Sequence, residues 1–498
     1  MADTSSWKRT GARVRRVALW VLTTLALSLF LIACWIRYRF GDVGFQAIVT
    51  NLPIGDGRTV GNNSLALEAV LVCVGIPVLV VALAAVVVRW RGRRTDTPRT
   101  GRRGHRVKVM LPIAAFTTSL TVLLSVAGIP NYATAVWGDH SMAPYYVDPA
   151  PQAPQTKRNL ITIYLESMEN TFADADLFGR NLLAPLNART GDWEQYRGLQ
   201  QYPGGGWTMA GLVSTQCGIP LKSEVLVPGV HPNVSGQEVG DYLPGATCLG
   251  DVLAENGYTN TWLGGADPQF AGKDTFLTGH GYDTVLGKQD WIAAGEKPQD
   301  MSVWGLSDAR LMANAKDTVD ELHATQEPFH LTILTLDTHE PAGVFPGCRT
   351  ADPEPMATAI SCSMTAVADF LGHLSQQGYL DDTVVVLMGD HLKGTSGASA
   401  FKAEMAAADN RTLLLRVWSP DQIRFNRRSH ADQFSMLATS LELLGFRLPQ
   451  GRAGLGVSLI GQHDLTGSAV ALPAKEYQRL VAAPSTELYQ RFWGGGEG

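Results

Sequence analysis

The 498-residue sequence lacks a strong charge imbalance, its net charge being only -5. Nothing there points to a nucleic-acid partner, which calls for a basic face. Cysteine is scarce, at six residues with no CxxC spacing, so a structural zinc site finds no support. There is no internal repeat, which argues against a solenoid or propeller. No small-residue cleavage site follows the first apolar run, which argues against a cleaved signal peptide.

What is present is uneven. Three apolar runs, at 17–36, 65–88 and 109–129, are long enough to span a bilayer, which takes ~20 residues. Glu68, near the start of the second run, can reach the interface. Basic residues from Lys8 to Arg16 precede the first run, and others from Arg89 to Lys108, Arg99 among them, fill the loop between the second and third. The loop between the first and second is poor in positive charge. The positive-inside rule then places the N-terminus and the arginine loop in the cytoplasm and everything after about residue 130 outside. The sequence predicts a membrane region over 1–130, an extended Pro- and Tyr-containing linker over 131–157, and an extracytoplasmic domain over 158–498. Cys217, Cys248, Cys348 and Cys362 all fall in that outer domain, where disulfides are permitted. Pairing Cys217 with Cys248 and Cys348 with Cys362 closes two short loops.

The outer domain alternates two kinds of segment. Apolar, β-branched runs at 159–165, 330–336, 383–388 and 412–418 read as buried strands. Stretches at 308–323, 361–377, 435–444 (with Asp432 as a candidate N-cap) and 474–482 read as helices. The alternation predicts an α/β fold with a mostly parallel sheet. In such sheets ligands gather beyond the carboxyl ends of the strands.

Those strand ends carry chemistry. Glu166, Ser167 and Glu169 follow the first strand, Asp337, His339 and Glu340 the second, and Asp390 and His391 the third. A carboxylate with an Asp-His pair suits a divalent metal with mixed oxygen and nitrogen ligands. Taken singly, each also reads as a turn or a helix-capping residue. Gly204, Gly205 and Gly206 precede Trp207 and Thr208 at the start of a helical pattern. A helix N-terminus offers free N–H groups to a phosphate, and Thr208 there is a candidate nucleophile. Thr208 could equally cap the helix, and Ser167, Ser214 and Thr215 are further candidates on composition.

Longer blocks carry a family resemblance. They are Asn159–Leu165 with Glu166-Ser167, then Gly206-Trp207-Thr208 running to Gln216-Cys217-Gly218-Ile219-Pro220-Leu221. Next come Gly264-Gly265-Ala266-Asp267, Phe270 to Lys273, and His280 to Asp283. Trp304-Gly305-Leu306, Thr338-His339 and Gly389-Asp390-His391 complete the set. From about 157 to 446 the chain resembles the phosphoglycerol transferase I family, which decorates osmoregulated periplasmic glucans, and more distantly lipoteichoic acid synthase. Both are sulfatase-like members of the alkaline phosphatase superfamily.

The resemblance implies a membrane-anchored enzyme that moves glycerol phosphate from phosphatidylglycerol, through a threonine-linked intermediate, to an extracytoplasmic glycan. It implies Glu166, Thr208, Asp390 and His391 as metal ligands, with Mn2+ the usual ion and Mg2+ or Zn2+ the alternatives. It implies Thr208 as nucleophile and His339 as a catalytic group near the donor's phosphoglycerol. Lys273 stands where lipoteichoic acid enzymes have an arginine near the phosphate. Asp267, His280 and Trp207 fall in matching blocks as donor-binding residues. The partners implied are the lipid donor, the bilayer and an envelope glycan. The formylglycine signature of true sulfatases, a Cys or Ser followed by x-Pro/Ala-x-Arg, is missing around Thr208. Alternatives on the same fold are a phosphoethanolamine transferase or a lipid phosphodiesterase. A catalytically silent membrane sensor or scaffold is the alternative from another class.

Overall fold

A computed structural model describes residues 4–41, 44, 45, 48, 63–94, 102–138, 140–223, 226–227, 241–348, 353–426, 428 and 431–494. Arg99 lies outside these. The described residues form two compact units. One takes in the segment up to Thr134 together with Ser396–Ala398, and the other takes in 135–395 and 399–494.

The first unit is helical. Its helices span Thr4–Phe40, Asn63–Val70, which runs through a π-helical turn at Leu71–Gly75 into Ile76–Arg94, and Arg102–Val126. Within them Arg13–Phe40, Ala66–Arg91 and Val109–Val126 are long and apolar enough to cross a membrane. The third helix stops at Val126, a few residues before the apolar run ends, because Gly128 turns the chain with φ +70°. Glu68 is held by a neighbouring helix: it accepts from Trp35 Nε1 at 3.0 Å and from Arg39 Nε at 3.0 Å. A carboxylate among apolar helices needs such partners.

The expected linker is partly ordered. Pro130 in the first turn suits a short helix at Ile129–Val136. Beyond it the chain is extended but not free. Met142 is fully buried, and Val147 and Gln152 bridge to Gly454 and Arg447.

The strands of the second unit are, in order, β1 (Asn159–Leu165), β2 (Glu194–Gln195), β3 (Leu199–Gln200), β4 (Thr259–Gly264), β5 (Thr284–Leu286), β6 (Phe329–Leu334), β7 (Thr383–Gly389), β8 (Leu415–Trp418), β9 (Ala431–Asp432), β10 (Arg452–Ala453) and β11 (Gly456–Val457). Seven form the central sheet in the order β2-β8-β7-β1-β6-β4-β5. The pairings from β7 through β5 are parallel, while β8 runs antiparallel to β7 and β2 antiparallel to β8. β3 and β9 pair separately, as do β10 and β11.

The sheet is covered on both faces, which is why β1, β6 and β7 read as continuous apolar runs. Leu160 and Tyr164 of β1 point to a core shared with Leu212, Val213, Val252 and Leu441. Ile161, Ile163 and Leu165 point to the other, shared with Leu186, Leu311, Met364 and Phe370. Burying each such side chain contributes about 1.5–3 kcal/mol. The main helices on the first face are Thr208–Cys217, Leu249–Glu255 and Ser435–Leu443. Those on the second are Ala184–Arg189, Asp308–Ala324 and Pro355–Gln377.

Asp432 does not cap the Ser435–Leu443 helix. It lies in β9, accepts the Phe434 N–H at 3.2 Å and takes the Tyr477 hydroxyl, while Phe434 occupies the cap position. The disulfides are Cys217–Cys248 and Cys348–Cys362. The C-terminal helices Ala474–Ala482 and Thr486–Gly494 are tied in by Lys222. That lysine is buried, donates from Nζ to the Val481 carbonyl at 2.9 Å, and accepts from Trp493 Nε1 through its own carbonyl.

Candidate active site

The parallel register sets the site. Leu165 pairs with Gly389, so Glu166 and Asp390 are the next residues off two adjacent strands. Side chains that leave neighbouring strands at the same level must meet unless a turn carries them apart. The chain here does the reverse. Ser167 adopts a left-handed φ of 55°, a conformation disfavoured for any residue but glycine. That turn aims its N–H at Asp390 Oδ1 (2.8 Å) and its hydroxyl at Glu166 Oε1 (2.8 Å). Thr335 Oγ1 accepts the Glu166 N–H, and the Thr338 hydroxyl donates to the Glu166 carbonyl at 2.6 Å.

Glu166, Asp390 and His391 converge, with one ligand atom from each within 4.8 Å of the others. His391 Nε2 is 3.6 Å from Glu166 Oε1 and 3.5 Å from Asp390 Oδ2. Its Nδ1 faces the Leu392 carbonyl at 2.9 Å, which can only accept. The proton therefore sits on Nδ1 and leaves Nε2 as the inward lone pair of the neutral ring. Thr208 Oγ1 donates to Glu166 Oε2 at 3.3 Å.

Thr208 is the first residue of its helix, not the cap, which is Trp207. Its hydroxyl is therefore turned to Glu166 and not to the backbone. The first bond of the helix runs from the Gly211 N–H to the Trp207 carbonyl. The N–H groups before it have no partner within the helix, which makes this end attractive to an anion.

Burial and like charge dominate the electrostatics. Burial pushes the Asp390 carboxyl up to about 7, and the Glu166 charge adds to this. In Glu166 burial is outweighed by His391 and His339, so that carboxyl lies below its ordinary value. Burial would lower His391, but Asp390 and Glu166 raise it above the usual range. A fixed cation is what such a set needs. A divalent metal fits it on the structure's own terms, because Asp390 Oδ2 is buried and has no hydrogen-bond partner. Glu166, Asp390 and His391 could hold that ion, with Thr208 beside them.

The other residues singled out in the sequence are placed as follows. His339 packs against Trp304 with ring centroids 4.4 Å apart and planes tilted by 59°, and its Nδ1 faces the Glu340 carbonyl at 2.9 Å. It is close enough to bias Glu166 electrostatically. Lys273 is buried at the start of its helix. Burial lowers its pKa, against the pull of Glu166, Asp390, Asp267 and Asp274. Asp267 is half-buried and accepts the Gln269 N–H at 3.0 Å. Trp207 is half-buried beside Thr208. Ser214 and Thr215 return their hydroxyls to the helix backbone.

His280 is engaged elsewhere. Its ring is buried between Asp251 Oδ2 (2.7 Å) and the Tyr242 carbonyl (2.9 Å). Cys248, beside Asp251 and His280, is spent in a disulfide and offers no thiolate to a metal.

Sequence reading picked out Glu169 and Glu340 only as strand-end candidates and missed how they and their partners brace the site. Glu169, fully buried, takes Arg411 Nε at 2.9 Å and the Lys393 N–H at 3.1 Å. Lys393 Nζ pairs with Glu340 and so joins the loop after His391 to the loop after His339. Asp308 accepts the N–H groups of Leu336 (2.6 Å) and Asp337 (3.2 Å), anchoring the segment that carries His339. Gln433 Nε2 donates to the Asp390 carbonyl at 2.7 Å, and Gln201 Oε1 accepts from Leu392.

Comparison with known proteins gives the family and the fold. The sulfatase family model matches residues 158–446. The chain belongs to the sulfatase family. Among curated proteins it is 33% identical over 347 residues to phosphoglycerol transferase I of Xanthomonas euvesicatoria pv. vesicatoria (strain 85-10), a match covering 68% of this chain and 48% of that protein. This sulfatase-family chain thus spans about half the length of the curated relatives it matches. Among solved structures it shares its fold with the lipoteichoic acid synthase LtaP from Listeria monocytogenes, at TM-score 0.50 and 14% identity over 68% of this chain and 92% of that one. It is also similar to the integral membrane lipooligosaccharide phosphoethanolamine transferase A from Neisseria meningitidis, at TM-score 0.50 and 13% identity. That match covers 93% of this chain and 87% of the other.

Proposed function

We propose that this chain is a membrane-anchored glycerophosphotransferase. It takes glycerol phosphate from phosphatidylglycerol and passes it, through a Thr208-linked intermediate, to a hydroxyl of an extracytoplasmic glycan. The observation that carries this reading is the Thr208 hydroxyl, at an open helix N-terminus and 3.3 Å from Glu166, which itself converges with Asp390 and His391. The relatives named phosphoglycerol transferase I support the choice of donor, and the three apolar helices suit an enzyme whose donor is a lipid.

Glu166, Asp390, His391 and Thr208 would hold one divalent cation, Mn2+ by family resemblance. When bound, that ion supplies charge neutralisation and acidifies the threonine hydroxyl. The chain's own residues do the rest. Thr208 passes its proton along the hydrogen bond to Glu166 Oε2 while its oxygen attacks phosphorus. The bond from phosphorus to the diacylglycerol oxygen breaks, and His339 gives that oxygen a proton from Nε2. The glycerol phosphate is then esterified to Thr208. An acceptor hydroxyl attacks phosphorus in turn, His339 takes its proton, and Thr208 recovers its own from Glu166. The helix N–H groups and Lys273 steady the phosphate oxygens, and by family resemblance Trp207 and Asp267 help to bind the donor. The topology that fits puts the N-terminus and the arginine loop in the cytoplasm and the second unit outside.

The test is to incubate the full chain in nanodiscs with Mn2+ and fluorescent phosphatidylglycerol. Fluorescent diacylglycerol is expected, together with a phosphoglycerol adduct on the peptide carrying Thr208. No release by the wild-type protein would leave the sensor or scaffold reading, and release that survives Thr208→Ala would remove the proposed nucleophile.

A further inference from the structure

At the edge of the sheet where β2 meets β8, a cavity of about 310 Å³ is lined by Asn170, Asn187, Gln195, Arg197 and Arg416. Arg416 is only 4% exposed. Its two terminal nitrogens donate to neutral oxygens, Nη1 to Thr190 Oγ1 and Nη2 to Asn187 Oδ1. Among the described residues no carboxylate forms an ion pair with it. Arg197, exposed at the rim, reaches Gln195 Oε1 at 3.4 Å and likewise has no acidic partner.

Two guanidiniums on one small cavity, one of them buried, make an arrangement that a folded protein keeps at a cost. A buried charge calls for a counter-charge. Burial and the neighbouring Arg197 bring Arg416 down from its ordinary value to about 10. Arg416 still has donors to spare, since a guanidinium carries five N–H bonds in a fork that matches tetrahedral oxyanions. Asn187, with its oxygen committed to Arg416, has its NH2 group left to donate.

The cavity is separate from the site around Thr208. The helix carrying Asn187 packs on the core that includes Leu186, and the helix carrying Thr208 on the core that includes Leu212. We propose that the cavity is a second binding site, for the oxyanion of a phosphate or sulfate ester. The ester can come from a soluble sugar or glycerol derivative or from a lipid headgroup, and the chemistry recognised is the same.

The test uses the full chain in neutral-lipid nanodiscs with a metal chelator, titrated with sodium sulfate at constant ionic strength and followed by calorimetry. Saturable binding is expected. Arg197→Ala weakens it about tenfold, as loss of one charged hydrogen-bonding partner does. Arg416→Gln abolishes it, and Thr208→Ala leaves it unchanged. Should Arg416→Gln fail to fold, the exposed Arg197 decides the matter. Absence of saturable binding, or binding untouched by Arg197→Ala, overturns the proposal. Competition by glycerol 1-phosphate alone assigns the ester to a soluble ligand, and competition by nanodiscs containing phosphatidylglycerol assigns it to the lipid. Competition by neither overturns it.

Discussion

Gly211 lies directly against the carbonyl oxygen of Asp390, so close that a Cβ at position 211 would overlap it. The helix that begins with Thr208 rests, one turn on, against the backbone of the strand end that supplies Asp390. Gly211→Ala must push the two apart. Such overpacking costs about 1–3 kcal/mol. Turnover is expected to fall at least tenfold and metal affinity to fall with it, while the chain still folds. Thermal melts and Mn2+ titration of the variant check this.

Removing the cation should have two effects. With chelator, transfer stops and the melting temperature drops. At a metal concentration about 1,000 times Kd the stabilisation is about 4 kcal/mol. Asp390→Asn should abolish the stabilising response to Mn2+. It should also raise the stability of the metal-free protein, because it removes one of two buried carboxylates that repel each other. Melting curves with and without Mn2+ test both parts.

Lys222 gives a pH signature well away from the site. Burial lowers its ammonium from 10.5 to about 7. Between those values the unfolded chain binds the proton and the folded one does not. Stability from this group therefore rises as pH increases from about 7 to 10.5, and is absent below 7. Lys222→Met should flatten that rise and make the protein more stable at pH 7. Denaturant unfolding at pH 7 and pH 9.5 measures the difference.

The Cys217–Cys248 bond joins residues 31 apart. On the chain-entropy account, losing it costs about 3–4 kcal/mol. Replacing both cysteines with alanine should lower the melting temperature and reduce turnover, and the variant should respond to reductant only through the remaining Cys348–Cys362 bond. The wild type should lose stability in dithiothreitol. Melting scans with and without reductant distinguish the two.

Much of the fold was legible because β1, β6 and β7 are buried on both faces and announce themselves as Ile-, Val- and Leu-rich runs. β4 was not, since its Thr-Asn-Thr-Trp-Leu-Gly sequence spends polar side chains on buried hydrogen bonds. Asn260 Nδ2, for example, donates to the carbonyls of Gly250 and Gly281. The antiparallel sense of β8 was also hidden, because a short apolar run carries no direction. At the site, Glu166, Asp390 and His391 could be picked out because each directly follows a strong strand. The braces could not. Glu169 meets Arg411 across 242 residues and Lys393 meets Glu340 across 53, and no local pattern links such partners. His280 sits in a motif block as well, but both its ring nitrogens are taken up by Asp251 and Tyr242.

The helix that starts at Thr208 is a rod of 10 residues whose last member is Cys217, and that cysteine is welded to the residue capping the next helix. The hydroxyl proposed as nucleophile thus stands at one end of the rod and an oxidised sulfur pins the other. Newly made copies kept among reduced thiols would carry the same hydroxyl on an untethered lever. On the proposed reading, competence for phosphoryl chemistry would be tied to passage into oxidising surroundings.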